Sequence, residues 1–191
     1  MRKIFGVILI LLGTSITHGV YSQHYLSLKE ASLVPLDSVE YLKISRKKLT
    51  TLPNSMWRYR NLKGLDLSKN KLTSISDSIT VFQNLEILNL RKNRIALFPK
   101  ELFSLKKLKV LNLSSNLLGY IPDDIVECPE LRELDLYNNP VIDLGSGLEK
   151  LKNLAQLDLR GLMMNAQKQK HISEKLPLVH ILFDAPCNCV D

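Results

Sequence analysis

The chain has 191 residues, 45% of them apolar and 24% charged, a balance that suits one folded domain and excludes both a disordered chain and a polytopic membrane protein. A formal charge of +7 is too modest for a nucleic-acid packaging protein, and three cysteines are too few for a disulfide framework. The abnormal figure is leucine, with 38 copies against 8 glycines and 8 prolines, and its spacing decides what the chain builds.

Residues 1–22 read as a leader. Arg2 and Lys3 are a short positive start, Ile4 to Leu12 is apolar apart from Gly6, and the stretch turns polar at Thr14 and Ser15. That apolar run is about half of what crosses a bilayer, which fits a secretory signal rather than an anchor. Val20 and Ser22 are the small residues wanted before a cut, so Gln23 is the expected new N-terminus. The segment has no cysteine to carry a lipid, which points to a secreted or periplasmic protein with no membrane span after cleavage.

Residues 23–38 form an expected N-terminal cap. Ser27-Leu28-Lys29-Glu30 has capping-box spacing and predicts a brief helix from about Leu28 to Val34, stopped by Pro35.

Over residues 39–161 one phrase returns every 23 residues, starting at Val39, Leu62, Leu85, Leu108, Leu131 and Leu154. Counting from these starts, positions 1, 4, 6, 11, 14, 18 and 21 are apolar in all five full copies, 35 positions in total. The local period of two to three at the beginning of each copy predicts a short strand and no helical face. One copy cannot enclose its own leucines, but stacked copies bury each other's. Residues 162–191 predict a C-terminal cap: a polar helix from about Asn165 to Lys175, then a last strand near Val179 to Phe183 closing a hairpin-like end guarded by Asp184 and Pro186.

The copies LKGLDLSKNKL, LEILNLRKNRI, LKVLNLSSNLL and LRELDLYNNPV resemble the leucine-rich repeat family, in its 23-residue class with a following x-x-L-P. Leu52-Pro53, Phe98-Pro99 and Ile121-Pro122 follow that continuation, and Tyr25 to Ile44 loosely resembles the lead-in of exported bacterial members. The resemblance implies an α/β solenoid, a short right-handed arc with a parallel concave β-sheet and a helical or extended convex side.

Asn70, Asn93, Asn116 and Asn139 recur at position 9, where an amide satisfies backbone groups of adjacent coils, and read as a structural ladder. Lys47 and Leu162 replace them in the first and last copies, as capping coils require.

No catalytic, cofactor or metal constellation is expected. His24, His171 and His180 lack zinc spacing, with His180 read as partly buried, and there is no nucleophile elbow or phosphate-cradling loop. Cys128 falls on core position 21 and reads as an inert buried thiol; Cys187 and Cys189 can pair, stay reduced or bridge to another chain. Asn112-Leu113-Ser114 is a sequon on the expected sheet.

Function is therefore expected on the surface. Outward positions of the strands offer Tyr41, Lys43, Asp66, Ile87, Asn89, Arg91, Asn112, Glu133, Asp135, Tyr137, Asp158 and Arg160 as a concave face for a protein partner. Positions 8 and 10 give a basic edge of Arg46, Lys48, Lys69, Lys71, Lys92 and Arg94, confined to the first three copies, which reads either as a solvated edge that keeps the protein soluble or as a docking strip for an acidic partner or polyanionic polymer. The leading expectation is an exported, non-catalytic protein-binding module. The alternative is an acidic protein or polyanionic glycan held on the basic edge. Nucleic acid is not expected, because no aromatics interleave the cations.

Overall fold

The computed structural model describes residues 23–188, so the expected leader and the last three residues lie outside the described range. Eight parallel strands form one sheet in chain order, each hydrogen-bonded to its sequence neighbours. They are β1 Leu26–Ser27, β2 Tyr41–Lys43, β3 Gly64–Asp66, β4 Ile87–Asn89, β5 Val110–Asn112, β6 Glu133–Asp135, β7 Gln156–Asp158 and β8 His180–Leu182. From β2 to β7 every register step is one 23-residue copy: Leu42 pairs with Leu65, Leu65 with Leu88, and so on to Leu157. The equal copy length makes this possible, because a one-residue slip would turn each central leucine out of the core.

Those central leucines sit between two less buried neighbours in most strands. Of the 35 apolar repeat positions, all but Leu49 and Leu144 are buried, and these two still pack on the core. Burying each such side chain contributes roughly 1.5–3 kcal/mol. The opposite side of each coil is a short 3-10 turn: Asn54–Arg58, Asp77–Val81, Lys100–Ser104, Asp123–Glu127 and Gly147–Lys150. Each sends one apolar residue inward, Met56, Ile79, Leu102, Ile125 and Leu148. Pro53, Pro99 and Pro122 stand just before three of them, where a missing N–H costs nothing.

The position-9 asparagines tie coil to coil. Asn116 Oδ1 accepts from Ile95 N–H of the preceding coil, while its Nδ2 donates to Leu113 C=O of its own coil and Leu90 C=O of the preceding one. Asn93 repeats the pattern with Leu72 N–H and with Leu90 and Leu67 C=O. Asn139 does so with Leu118 N–H and with Leu136 and Leu113 C=O. Asn70 starts the series, receiving Leu49 N–H and Lys47 N–H and donating to Leu67 and Ile44 C=O. All four are buried. At the ends, Lys47 is exposed and Leu162 is buried, so the ladder stops where a neighbouring coil is missing.

The caps differ from expectation in three respects. Helix α1 spans only Leu28–Ala31, capped by Ser27 Oγ on Glu30 N–H with Glu30 Oε2 returning to Ser27 N–H. It does not reach Val34, because Leu33 and Val34 face solvent and Ser32 Oγ already takes the Lys29 carbonyl. Ahead of it, β1 adds an unforeseen strand beside β2, and two residues are too short to leave a periodic signal. At the far end, α2 (Ala166–Lys175) begins at the Asn165 cap and carries the chain over to β8. Strand β8 lies parallel to β7, so the cap is a crossover and no hairpin.

Replacing Asn116 with Ala leaves the buried Ile95 N–H without its partner and takes one of two amide donors from each of Leu90 and Leu113 C=O. An unmet buried group costs about 1–3 kcal/mol, so Asn116→Ala is expected to lower unfolding free energy by about 1–3 kcal/mol. Exposed Asn54→Ala should stay within about 0.5 kcal/mol of wild type. Urea unfolding followed by circular dichroism checks both, and an unshifted Asn116→Ala midpoint would contradict the ladder's role.

Candidate binding faces

The solvent side of the sheet is built from positions 3, 5 and 7, and the structure sorts them into three kinds. Position 5 is mostly structural. Asp66, Asn89, Asn112, Asp135 and Asp158 each use Oδ1 to accept the N–H two residues on, at 2.9–3.1 Å. Each side chain thus fixes the turn that leaves its own strand. Asp66 and Asp158 are buried, which removes them from the exposed set expected of a contact surface. Asp66 also faces Lys43 Nζ at 3.4 Å, and Asp158 Oδ2 receives Arg160 NH2 at 2.6 Å. Asn112 Nδ2 donates to Asp135 Oδ2 at 2.7 Å. Desolvation is the first cause holding the Asp135 carboxyl above its ordinary range, opposed by the Tyr137 N–H and reinforced by the Asp158 charge. This carboxyl therefore holds its proton to higher pH folded than unfolded, and it subtracts stability as pH rises through the carboxylate range.

Toward β1 and β2 the face is already covered. The Tyr25 and Tyr41 rings meet edge to face at 5.4 Å between centroids. Burial, with Asp66 and Tyr41 adding, raises the Tyr25 phenol well above its ordinary value. A Cβ on Gly64 would lie 2.5 Å from Tyr41 Cδ1 and 2.8 Å from the Tyr25 hydroxyl, so Gly64 is the bed on which both rings lie. Tyr41 therefore serves the N-terminal cap before any partner. What remains open is farther along. Ile87, Asn89, Val110, Asn112, Glu133 and Asp135 are half-buried, and Arg91 and Tyr137 are exposed. Arg160 lies over the Tyr137 ring at 5.8 Å while doubly bonded to Asp158, which fixes both groups.

Along the edge, Arg46, Lys48, Lys69, Lys71, Lys92 and Arg94 are all exposed, and none forms an ion pair among the described residues. Successive coils hold them in step. Arg46, Lys69 and Lys92 donate their N–H to the position-7 carbonyls of Ser68, Arg91 and Ser114 in the next coil. Lys71 and Arg94 donate to the position-11 carbonyls of Leu49 and Leu72 in the coil before. The Lys69 ammonium is pushed below its ordinary value first by Arg46, then by desolvation, Lys92 and Arg91. Position 8 is also left-handed throughout, with φ of 54–58° at Arg46, Lys69, Lys92, Ser115 and Asn138 and 79° at Gly161. Asn138 and Gly161 are the types that take this conformation most readily; the first three coils carry long cations there instead. Position 2 shows the contrast. Glu40 pairs with Lys63 at 2.6 Å and Glu86 with Lys109 at 2.8 Å, so the same scaffold elsewhere alternates its charges.

A family model described as leucine rich repeat matches residues 83–141, and a second with the same description matches residues 61–82. The chain is a leucine-rich repeat protein. Comparison with curated proteins yields no match. Among solved structures, a leucine-rich repeat protein of Leptospira interrogans is 26% identical with a TM-score of 0.58, over 77% of this chain and 43% of that one. The present chain thus corresponds to less than half of that protein's length.

Elsewhere on this repeat protein the reactive side chains sit in plain surroundings. Cys128 is buried and free, and burial pushes its thiol up to about 11. Cys187 is disulfide-bonded, and Cys189 lies outside the described residues. His180 is exposed on β8, not partly buried, because β8 ends the sheet. A cleft between the Gly147–Lys150 turn and α2 has its cations engaged, Lys168 by Ile142 C=O and Lys175 by Glu149. Sequence reasoning missed the turn-forming role of position 5, although its Asp/Asn recurrence in five of six copies was a visible signal.

Gly64→Ala is expected to displace Tyr41 and lower stability by about 1–3 kcal/mol, as overpacking does. Near-ultraviolet circular dichroism of the tyrosine band, with urea titration, reads both effects; a variant with wild-type spectrum and midpoint would show that the rings do not depend on this glycine.

Proposed function

We propose that this protein is an exported, non-catalytic binding module that holds a protein partner against the solvent side of its sheet. The supporting observation is the stretch from β4 to β6, where Ile87, Val110, Arg91, Glu133 and Tyr137 stand side by side on coils locked to one another. Half-exposed aliphatic groups beside a fixed aromatic and an arginine make the mixed composition of protein interfaces. Leucine-rich repeats generally mediate protein binding, which supports the same reading. Export rests on the character of residues 1–22. Among the described residues no helix is long and apolar enough to cross a membrane.

The test is affinity capture with the protein recovered from the exported fraction, whose N-terminus is expected at Gln23. Arg91→Ala combined with Tyr137→Ala should cut partner recovery at least tenfold, as truncation of central anchors does. Equal recovery by wild type and double variant would remove the sheet as the contact face.

A second reading is favoured by the unpaired cations of positions 8 and 10: an acidic protein or polyanionic glycan docks on that edge. A row of like charges is poorly suited to solubility alone, since alternating signs would serve without repulsion. Retention on a polygalacturonate matrix at low salt is expected, fading as the Debye length falls below about 8–10 Å. Reversing Lys69, Lys71, Lys92 and Arg94 to Glu should abolish retention, and a quadruple variant that still binds would overturn this reading.

A further inference from the structure

The basic edge does not end at the third coil; it changes chemistry. Position 10 reads Lys48, Lys71, Arg94 and then Leu117, Pro140, Met163. Leu117 is 55% exposed and Met163 83% exposed. Beside them stand Ile142 at 77% and Tyr120 at 46%. These are large apolar side chains in water, on the rim of a domain whose apolar repeat positions are buried apart from Leu49 and Leu144. The backbone makes the two halves continuous. Lys71, Arg94 and Leu117 donate their N–H to the position-11 carbonyls of Leu49, Leu72 and Ile95, so the row passes from cation to aliphatic without a break. Pro140 has no N–H to continue that series, and the fifth coil is joined instead by Ile142 N–H donating to the position-12 carbonyl of Gly119. Position 8 switches at the same place, from Arg46, Lys69 and Lys92 to the small Ser115, Asn138 and Gly161.

We infer that this edge is one bipartite docking strip, and that its occupant is a segment of a partner protein, acidic at one end and apolar at the other. The inference rests on the second reading above and narrows it. A polyanionic glycan accounts for the cations but leaves Leu117, Ile142 and Met163 exposed with nothing to cover them. An anionic membrane would want cations around the apolar groups, whereas here the two kinds are separated along the row. A protein segment with segregated blocks satisfies both halves at once. Charge complementarity sets its direction, with carboxylates over Lys71 and Arg94 and aliphatic or aromatic side chains over Leu117 and Met163. Coils spaced at the inter-strand distance of about 4.8 Å give a strip of roughly 24 Å, which an extended segment of about eight residues spans.

The probe is a fluorescein-labelled, end-blocked synthetic peptide of about eight residues, four acidic and then four apolar, read by fluorescence anisotropy against the whole protein. Its control has the same composition with acidic and apolar residues interleaved. Binding of the block peptide at least tenfold tighter than the control is expected. Lys71→Glu with Arg94→Glu should abolish it, and Leu117→Ser with Met163→Ser should weaken it tenfold or more while unfolding midpoints stay unchanged, since all four side chains are exposed. Equal binding of both peptides, or indifference to Leu117→Ser with Met163→Ser, overturns the inference. Retention on polygalacturonate without peptide binding overturns it too but leaves the anionic-edge reading standing. Binding only to phosphatidylglycerol vesicles, abolished by either pair of substitutions, assigns the strip to lipid and overturns it. If neither polymer, peptide nor vesicle binds, both readings fall together.

Discussion

The structure depends on how the position-6 carbonyls are satisfied. Where the chain turns off each strand, that carbonyl has lost its sheet partner yet is enclosed by the coil beside it. Leu67, Leu90 and Leu113 C=O each receive two amide protons, one from the asparagine of their own coil and one from that of the next. Because each amide spans two coils, no coil is closed without its neighbour. Hydrophobic burial supplies most of the energy of the stack, but burial has no direction. The amides supply direction and hold the coils in register.

Much of this was legible beforehand, because the same spacing recurs six times and each recurrence is an independent sample of one rule. The leucine rows, the Asn ladder and the buried Cys128 all follow from register alone. Apart from the turn-forming role of position 5, what escaped notice had no repetition behind it. Strand β1 is two residues long and joins the sheet through β2, so nothing in its own sequence announces it. The early end of α1 depends on Leu33 and Val34 having no core to meet, a fact of the cap's surroundings and not of its propensity.

The surface was less legible than the core for a related reason. Alternation says which side of a strand a residue faces, but not whether another side chain already occupies the space in front of it. Tyr41 faces outward and is spent against Gly64 and Tyr25. Asp66 and Asp158 face outward and are consumed by their own turns and by Lys43 and Arg160. The edge cations escape this fate because the left-handed turn at position 8 throws side chains clear of the stack. Among the described residues no carboxylate is bonded to any of them.

The asparagine series closes on Leu162, and this has a consequence for how such a molecule changes in size. Every interior coil offers and accepts the same bonds, whereas the two terminal coils are chemically unlike the rest and unlike each other. Duplicating or deleting a whole 23-residue module between Leu62 and Leu131 leaves both ends intact and alters only the reach of the array. The module duplicated then selects what is gained: one from the first half adds positive charge to the rim, and one from the second adds grease. Length and surface character can thus evolve by copying, with no new solution required for the interior.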